Sequence, residues 1–459
     1  MKVYLYLLRA LFSGKKMGSH AGEHKLGGGF VSIPCLPPHL VAKMESILLV
    51  IICYAKDLKT FGNEKIFRKA IDDFHSLSTK GIKLNIDDQE ITVYFECVLI
   101  LGDKLGLNTI CGFYQNFSKS KYYCRICTAS QEQCKTLTTE NKNLLRTLKS
   151  NEADILIDPS LYGIKEYCIF NRIPKFHISK NVTVDAMHDV PEGVAVYSTG
   201  KVLESLIDKK IITLEELNRR IETFPYNDVE KSNKPMPLFY TQGKKCKKLK
   251  IKQSASEMLC LVRYLGLMIG DLIPAGNENW KLYQYIRRAI GIITSPKLNI
   301  SEIAELKKLI SKHNALYITL YGPLKPKMHI WTHYPTVTIR NGPVCHFSSL
   351  MFERKNRKLK EIAVGTSSNI NLPLTIGIRH QLQLCYTKEF CTNAKSDITY
   401  GPIDNKNAQD EFLKLIPNIN KQLDVKTFKH IEILHHKFSE GTILITRIDD
   451  KGPHFDRRI

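Results

Sequence analysis

Apolar and polar positions are arranged along this chain in two ways, each predicting a different kind of element. Short continuous apolar runs dominate the start. Residues 97–101 (CVLIL) read as a buried central strand that stops at Gly102-Asp103. Residues 46–55 contain ILLVIICYA, a second buried strand or a helix, which β-branched and leucine content does not decide between. Residues 30–35 (FVSIPC) read as a strand closed by Pro37-Pro38, after a Gly-rich connection through Gly18–Gly22 and Gly27–Gly29. Residues 82–86 and 91–95 flank Asp87-Asp88-Gln89-Glu90 and predict a hairpin. Helical periodicity first appears at 65–77, where Ile66, Ala70, Ile71, Phe74 and Leu77 share a face. The first 130 residues are therefore α/β in character.

The pattern then turns helical. Residues 202–217, 254–272, 280–293 and 303–313 read as helices, and the second is apolar enough to be buried. Beyond 328, His329 and His333 stand four apart and share a face if helical. Phe352, Leu359 and Ile362 recur at helical spacing, with Glu353, Arg357 and Lys360 on another face. The last fifty residues are polar with short strand-like pieces at 431–434 and 442–448, and no function is legible in them. The expected organisation is a split core over 1–127 and 329–395, a helical insertion over 128–328, and a tail over 396–459. The opening residues 1–17 are apolar, then basic; Arg9 interrupts the apolar stretch and no small-residue cleavage site follows, so a strand or a truncated start is expected rather than a signal peptide. No stretch is long and apolar enough to predict a membrane span.

Charge narrows the partners. Lys and Arg number 67 against 45 Asp and Glu, a net +22, which favours nucleic acid first and an anionic membrane second. Thirteen scattered cysteines, an odd count in a long chain, point to a reducing compartment. Six lysines in residues 244–252 form either a phosphate-contact or nuclear-import patch or, more often for a lone run, a solvated loop.

Two constellations carry chemistry. Cys124-x-x-Cys127 with His329-x-x-x-His333 offers two thiolates and two imidazoles, a donor set that suits tetrahedral zinc; each pair alone reads as ordinary buried side chains. Asp103 at a strand end and Glu353 on a late helix could hold two Mg²⁺ ions for in-line attack on a phosphodiester, whereas spacing alone favours a surface pair of Glu353 with Arg357. A third cluster, Asp185, His188, Asp189 and Glu192, reads as a helix cap or a metal site, with the cap favoured.

Six stretches in order along 18–390 resemble the transposases of CACTA (En/Spm-like) DNA transposons, particularly the animal copies. They are GSHAGEHKLGGGFVSIPCLPP (18–38), LGDKLGLNTICGF (101–113), YYCRIC (122–127), VDAMHDVPEGV (184–194), THYPTVTIRNGPV (332–344) and MFERKNRKLK (351–360). The resemblance implies a ribonuclease-H-like α/β core split by a large α-helical insertion, with an Asp-Asp-Glu catalytic set. Asp103 then matches the second Asp, Glu353 the Glu, and Asp185-x-x-His188 the Asp/Cys-x-x-His signature. The Cys and His pairs resemble the zinc site of Transib-like transposases. The implied cofactors are structural zinc and, in an active enzyme, Mg²⁺ or Mn²⁺. The implied partner is DNA, in the nucleus and away from membranes, with self-association left open. Lys244, Lys245, Lys247, Lys248, Arg354, Arg357 and Lys358 are the expected nucleic-acid contacts. The sequence departs from the family at the first Asp. Its place is taken by LRALFSGKKMGSHAG, with Phe12, Ser13, Lys15 and Lys16, and the only acids before Asp57 are Glu23 and Glu45. The expectation is a truncated or decayed, DNA-binding protein with impaired catalysis. The alternatives are a domesticated, non-enzymatic, zinc-stabilised binding protein and, third, a basic helical adaptor.

Overall fold

The computed structural model of the chain describes residues 2–8, 26–41, 43–115, 120–242, 247–366, 370–387, 398–402, 429–433, 436–439, 444–449 and 452–456. The protein is mixed α/β, and divides into two compact units, Met1–His380 and Gln381–Ile459.

The first unit opens with strands β1 (Lys2–Leu8), β2 (Leu26–Ser32) and β3 (Leu48–Tyr54), then a long helix α1 (Ala55–Thr79). A hairpin of β4 (Ile82–Ile86) and β5 (Gln89–Val93) follows, then β6 (Glu96–Leu101) and helix α2 (Lys104–Ile110). The main sheet has the order β3-β2-β1-β6. β1 and β2 are antiparallel, as are β2 and β3, but β1 and β6 are parallel. A parallel pair needs a crossover, and α1 lies within it.

β6 explains its own apolar run. Leu99 and Leu101 face one core, with Phe30, Val184, Val190 and Phe352, while Cys97 and Ile100 face another, with Phe67, Phe74, Leu107 and Phe170. A strand buried on both faces has no polar alternation. It is the last named strand of its sheet, not a central one, although Ile100 makes a further parallel bridge to Val182 on its open side. β3 is a strand, but its residues are only partly buried and Val50 is 42% exposed, because the sheet ends there. Gly27–Gly29, expected as a connection, lie inside β2: ladders to β1 and β3 on both sides hold their backbone extended despite the entropic cost of ordering glycine.

In α1 the expected face is present, with Phe67, Ala70, Ile71 and Phe74 buried, but the helix begins earlier and breaks at Gly62, whose φ of 74° only glycine adopts readily. The hairpin forms with Asp87 and Asp88 as a two-residue turn, both at positive φ, the geometry that matches strand twist.

The helical region contains α3 (Val196–Asp208), α4 (Leu214–Thr223), strands β7 (Phe239–Gln242) and β8 (Lys247–Lys250), then α5 (Ala255–Ile269), α6 (Glu278–Ile293) and α7 (Ile300–Tyr321). The single helix expected over 202–217 is two, since Lys210 turns at φ 57° and Thr213 caps the second. α5 and α7 each start with a capping box, from Ser254 with Glu257 and from Asn299 with Glu302. A nearly continuous helical run follows, α8 (Pro326–Ile330), a 3-10 turn Trp331–His333 and α9 (Tyr334–Asn341), before α10 (Leu350–Val364) and α11 (Leu372–Tyr386). Leu261, Leu265, Leu282, Ile286, Leu306, Trp331 and Phe352 belong to one apolar core that also includes Leu99 and Leu101 of β6, so the sheet and the helices fold as one body. In the second unit, β9 (Ile398–Tyr400), β10 (His430–Ile433) and β11 (His436–Ser439) form an antiparallel sheet, and β12 (Leu444–Asp449) pairs with β13 (Gly452–Asp456). Among the described residues no helix is long and apolar enough to cross a membrane.

Two leucines of α5 should separate packing from propensity. Leu261 is fully buried and Leu267 is 72% exposed. Leu261→Ala should lower the unfolding free energy by about 2–5 kcal/mol, and Leu267→Ala by no more than about 0.5 kcal/mol, in denaturant titrations.

Candidate metal centre and acidic cluster

Cys124 and Cys127 lie in the loop after α2, His329 on α8 and His333 in the 3-10 turn that follows. The fold brings these two segments together. One donor atom from each of the four residues lies within 4.8 Å of all the others, and every one of the four is at most 2% exposed. Cys124 Sγ is 3.6 Å from His333 Nε2, and Cys127 Sγ is 3.3 Å from His329 Nε2. Metal–ligand bonds of about 2.0–2.1 Å to nitrogen and about 2.3 Å to sulfur put tetrahedral neighbours about 3.3–3.8 Å apart. The cluster therefore has the donors and the dimensions to hold a tetrahedral metal ion. The helical run makes the His spacing work: the turn is tight enough to bring the two rings edge to face at 5.1 Å.

With no ion bound, the donors and their neighbours set one another's protonation: Cys124 and burial push the Cys127 thiol up. Burial opposes ionisation of Cys124, but Cys127, His333 and His329 together hold its thiol well below the usual value. Burial likewise opposes charging of His333, but Cys124 and Glu140 outweigh it and lift its pKa to about 9. Glu140 Oε2 lies 2.7 Å from His333 Nδ1, and Thr336 donates to the other carboxylate oxygen. A carboxylate on the far nitrogen fixes a metal-binding imidazole with the near nitrogen free. Arg146 donates from Nε to the Cys124 carbonyl at 3.2 Å and from Nη2 to the Tyr162 carbonyl at 2.6 Å, which holds the Cys loop from behind. Glu140 was not singled out in the sequence; a lone acid in a polar stretch carries no periodic or spacing signal.

The acidic residues gather beyond the end of β6, beside the same core. Asp103 caps α2, its carboxylate accepting from the Gly106 amide at 2.5 Å. Asp185 caps the short Ala186–Asp189 helix, as the cap reading expected. It does more than cap: it accepts from His188 Nδ1 at 2.5 Å and from the Ser349 hydroxyl at 2.6 Å. Ser349 precedes α10, and the Glu353 amide donates to its carbonyl at 2.9 Å. The first turn of the Glu353 helix is thus tied to Asp185. Asp189 is 1% exposed and accepts from the Asp185 amide at 3.2 Å. The chain then makes a π-helical turn, Val190–Ala195, a form that recurs at functional sites. Burial opposes protonation of His188, but Asp185, then Glu192 and Asp103, outweigh it and hold its pKa at about 9. Asp103, Asp185 and His188 are therefore within electrostatic reach of one another, with Glu353 one turn from the Asp185 tie.

The expected basic contacts are dispersed. Lys244 and Lys245 lie outside the described residues, as do Phe12, Ser13, Lys15 and Lys16. Lys247 and Lys248 fall on β8. Arg354 is exposed; Arg357 pairs with Glu361 at 3.5 Å, and Lys358 lies 3.7 Å from Glu45. Lys355 is buried instead, donates to the Met44 carbonyl at 2.8 Å and is brought down by burial to a pKa of about 8. No protein-family model matches the chain, and a search of curated proteins finds no match.

The His188–Asp185 pair sets a pH dependence. A pKa raised from 6.5 to about 9 contributes stability that is complete below about pH 6.5 and is lost as pH rises through 9. The contribution is of the order of 2–3 kcal/mol. Denaturant titrations of the wild type between pH 6 and 10 should show this loss, and Asp185→Asn should flatten it; an Asp185→Asn profile parallel to the wild type would refute the pairing.

Proposed function

We propose that this chain is a nucleic-acid-binding protein of ribonuclease-H-like fold, related to CACTA transposases, with a structural zinc ion and impaired strand-transfer chemistry. The observation that carries the reading is the placement of acids on the sheet. β1 is antiparallel to β2 and parallel to β6, a short parallel bridge at Val182 extends the sheet, and Asp103 follows the carboxyl end of β6. Carboxyl ends of parallel strands are where α/β sheets place ligands. Asp185 follows the Val182 bridge, and the helix bearing Glu353 returns to it after the helical region. That arrangement is what the resemblance requires of a split core with an inserted helical domain.

Two further observations support the parts of the reading. The four buried donors have zinc-like composition and spacing, and two thiolates favour zinc over the hard cations. The net charge of +22 suits a phosphate partner. Impairment rests on the first strand. Its pairing with β6 runs to Tyr6↔Leu101, and the stretch from Leu8 to Gly22, where the resemblance expects a carboxylate, contains no Asp or Glu. Two-metal chemistry needs carboxylates to hold both ions against their mutual repulsion. In this reading Asp103 and Glu353 are the remaining ligands for Mg²⁺ or Mn²⁺. The non-enzymatic, zinc-stabilised binding protein is favoured by the same missing carboxylate.

Purified protein should carry about one zinc per chain, and Cys127→Ser or His333→Ala should each lose it with a fall in melting temperature. Zinc retained in full by the Cys127→Ser/His333→Ala double variant would refute the centre. DNA binding should be largely independent of sequence, and weaken with salt at a log–log slope of roughly −0.9 per phosphate neutralised. Metal-dependent nicking by the wild-type chain that Glu353→Ala abolishes would overturn the impaired reading; salt-insensitive or absent DNA binding would overturn the nucleic-acid reading altogether.

A further inference from the structure

Each ligand of the metal centre lies within two residues of a side chain that reaches the acidic cluster or its neighbours. Tyr123 precedes Cys124, and the ammonium of Lys104, next to Asp103, lies 4.6 Å from its ring centroid. Arg125 sits between Cys124 and Cys127, and its Nη2 donates to the Thr183 carbonyl at 2.7 Å, two residues before Asp185. Lys327, two residues before His329, donates to the carbonyls of His188 at 2.5 Å and Glu192 at 2.9 Å. It passes so close to the π-helical turn that a Cβ at Gly193 would stand 2.4 Å from its side chain, so only glycine fits there. Tyr334 follows His333, and its hydroxyl lies 3.5 Å from Asp189 Oδ2. The two sites are built as one unit.

Of these ties, Arg125 is the most demanding. Its residue is 4% exposed, and its Nε and Nη1 make no hydrogen bond. A guanidinium cannot shed its charge, so burying it is unfavourable unless an anion and a fixed geometry compensate. Asp189, itself 1% exposed, is the carboxylate whose ionisation Arg125 favours. The Thr183 carbonyl it grips is 1% exposed as a residue and adjoins Val182, the partner of Ile100 on β6. A side chain held this way fixes the path of the chain into Asp185. Its own position is fixed in turn by the two thiols that flank it, at one and two residues' distance.

We propose that Arg125 is a positioning residue that couples the two sites: a metal bound by Cys124, Cys127, His329 and His333 fixes Arg125, and Arg125 fixes the turn that carries Asp185, His188 and Asp189. The proposal rests on the metal reading above but not on the nucleic-acid reading. It makes the acidic cluster conditional on the metal. Loss of the ion releases the turn without any change at the acidic residues themselves.

The test uses the full chain with cobalt(II) substituted for zinc, so that ligand geometry is read from the visible absorption of the ion. Hydrogen exchange is followed in the 183–195 segment, with α5 as an internal control. Arg125→Met should leave the cobalt spectrum and the α5 exchange as in the wild type while speeding exchange of 183–195 by about ten-fold or more. Arg125→Lys, which keeps the charge and a donor, should restore part of that protection. The metal-depleted wild type should match Arg125→Met in this segment. Cobalt-loaded Arg125→Met that exchanges like the wild type would overturn the proposal, and so would a folded, metal-depleted wild type with full protection at 183–195. Should Arg125→Met fail to fold, Arg125→Lys with cobalt bound decides: wild-type protection overturns the coupling, partial loss supports it. A wild type that shows no cobalt spectrum at all would instead refute the metal centre, a separate result.

Discussion

Four buried donors, from segments some two hundred residues apart in sequence, have to be satisfied at one point, and much of the first unit is arranged around that requirement. Polar groups at most 2% exposed are destabilising unless they find partners. Here two thiols and two imidazoles find each other at 3.3 and 3.6 Å, and a tetrahedral ion would replace these two weak contacts with four bonds. The closure joins the loop after α2, next to the sheet, to the α8–α9 run that ends the helical region. Glu140, Thr336 and Arg146 then serve to hold the ligands in one orientation. The cluster explains why Trp331, between the two histidines, is wholly buried: its ring is drawn into the core with them, and its indole nitrogen is satisfied by Asn314 at 3.0 Å.

How much of this was legible depends on whether the signal was local. The continuous run at 97–101 announced a strand covered on both faces because burial acts on each residue directly. The hairpin at 82–93 was legible since its turn chemistry and its alternation lie within a dozen residues. The Cys and His pairs were legible because ligand geometry imposes short spacings on each half. What failed was set by distant neighbours. Gly27–Gly29 reads as a loop in isolation and becomes strand because two ladders hold it. The break at Lys210 leaves an apolar periodicity that runs straight through it, so spacing alone fuses α3 with α4. β6 was expected in the middle of a sheet, yet double burial there comes from helices and loops covering a strand at the end of the named order.

The functional residues divide along the same line. Asp185 was legible as a helix cap, from its place before an apolar turn. Its bonds to His188 and Ser349 were only half legible: the first joins residues three apart, the second residues 164 apart. Arg125 and Glu140 had no signal of their own, since a single charge looks the same in sequence whether it is solvated or buried.

Burial also separates the acids by what they can do. Asp185 and Asp189 are 3% and 1% exposed, and the chain itself supplies their donors: His188 and Ser349 to the first, the Asp185 amide to the second, with Arg125 and Lys104 as nearby positive charge. A carboxylate satisfied in this way gains little from an added cation, because the ion would have to displace hydrogen bonds already made in a low-dielectric interior. Asp103 and Glu353 are partly exposed, each at the first turn of a helix beside the tied segment. Asp185 and Asp189 are thus tied into the fold, and Asp103 and Glu353 are the acids of this group that solvent reaches.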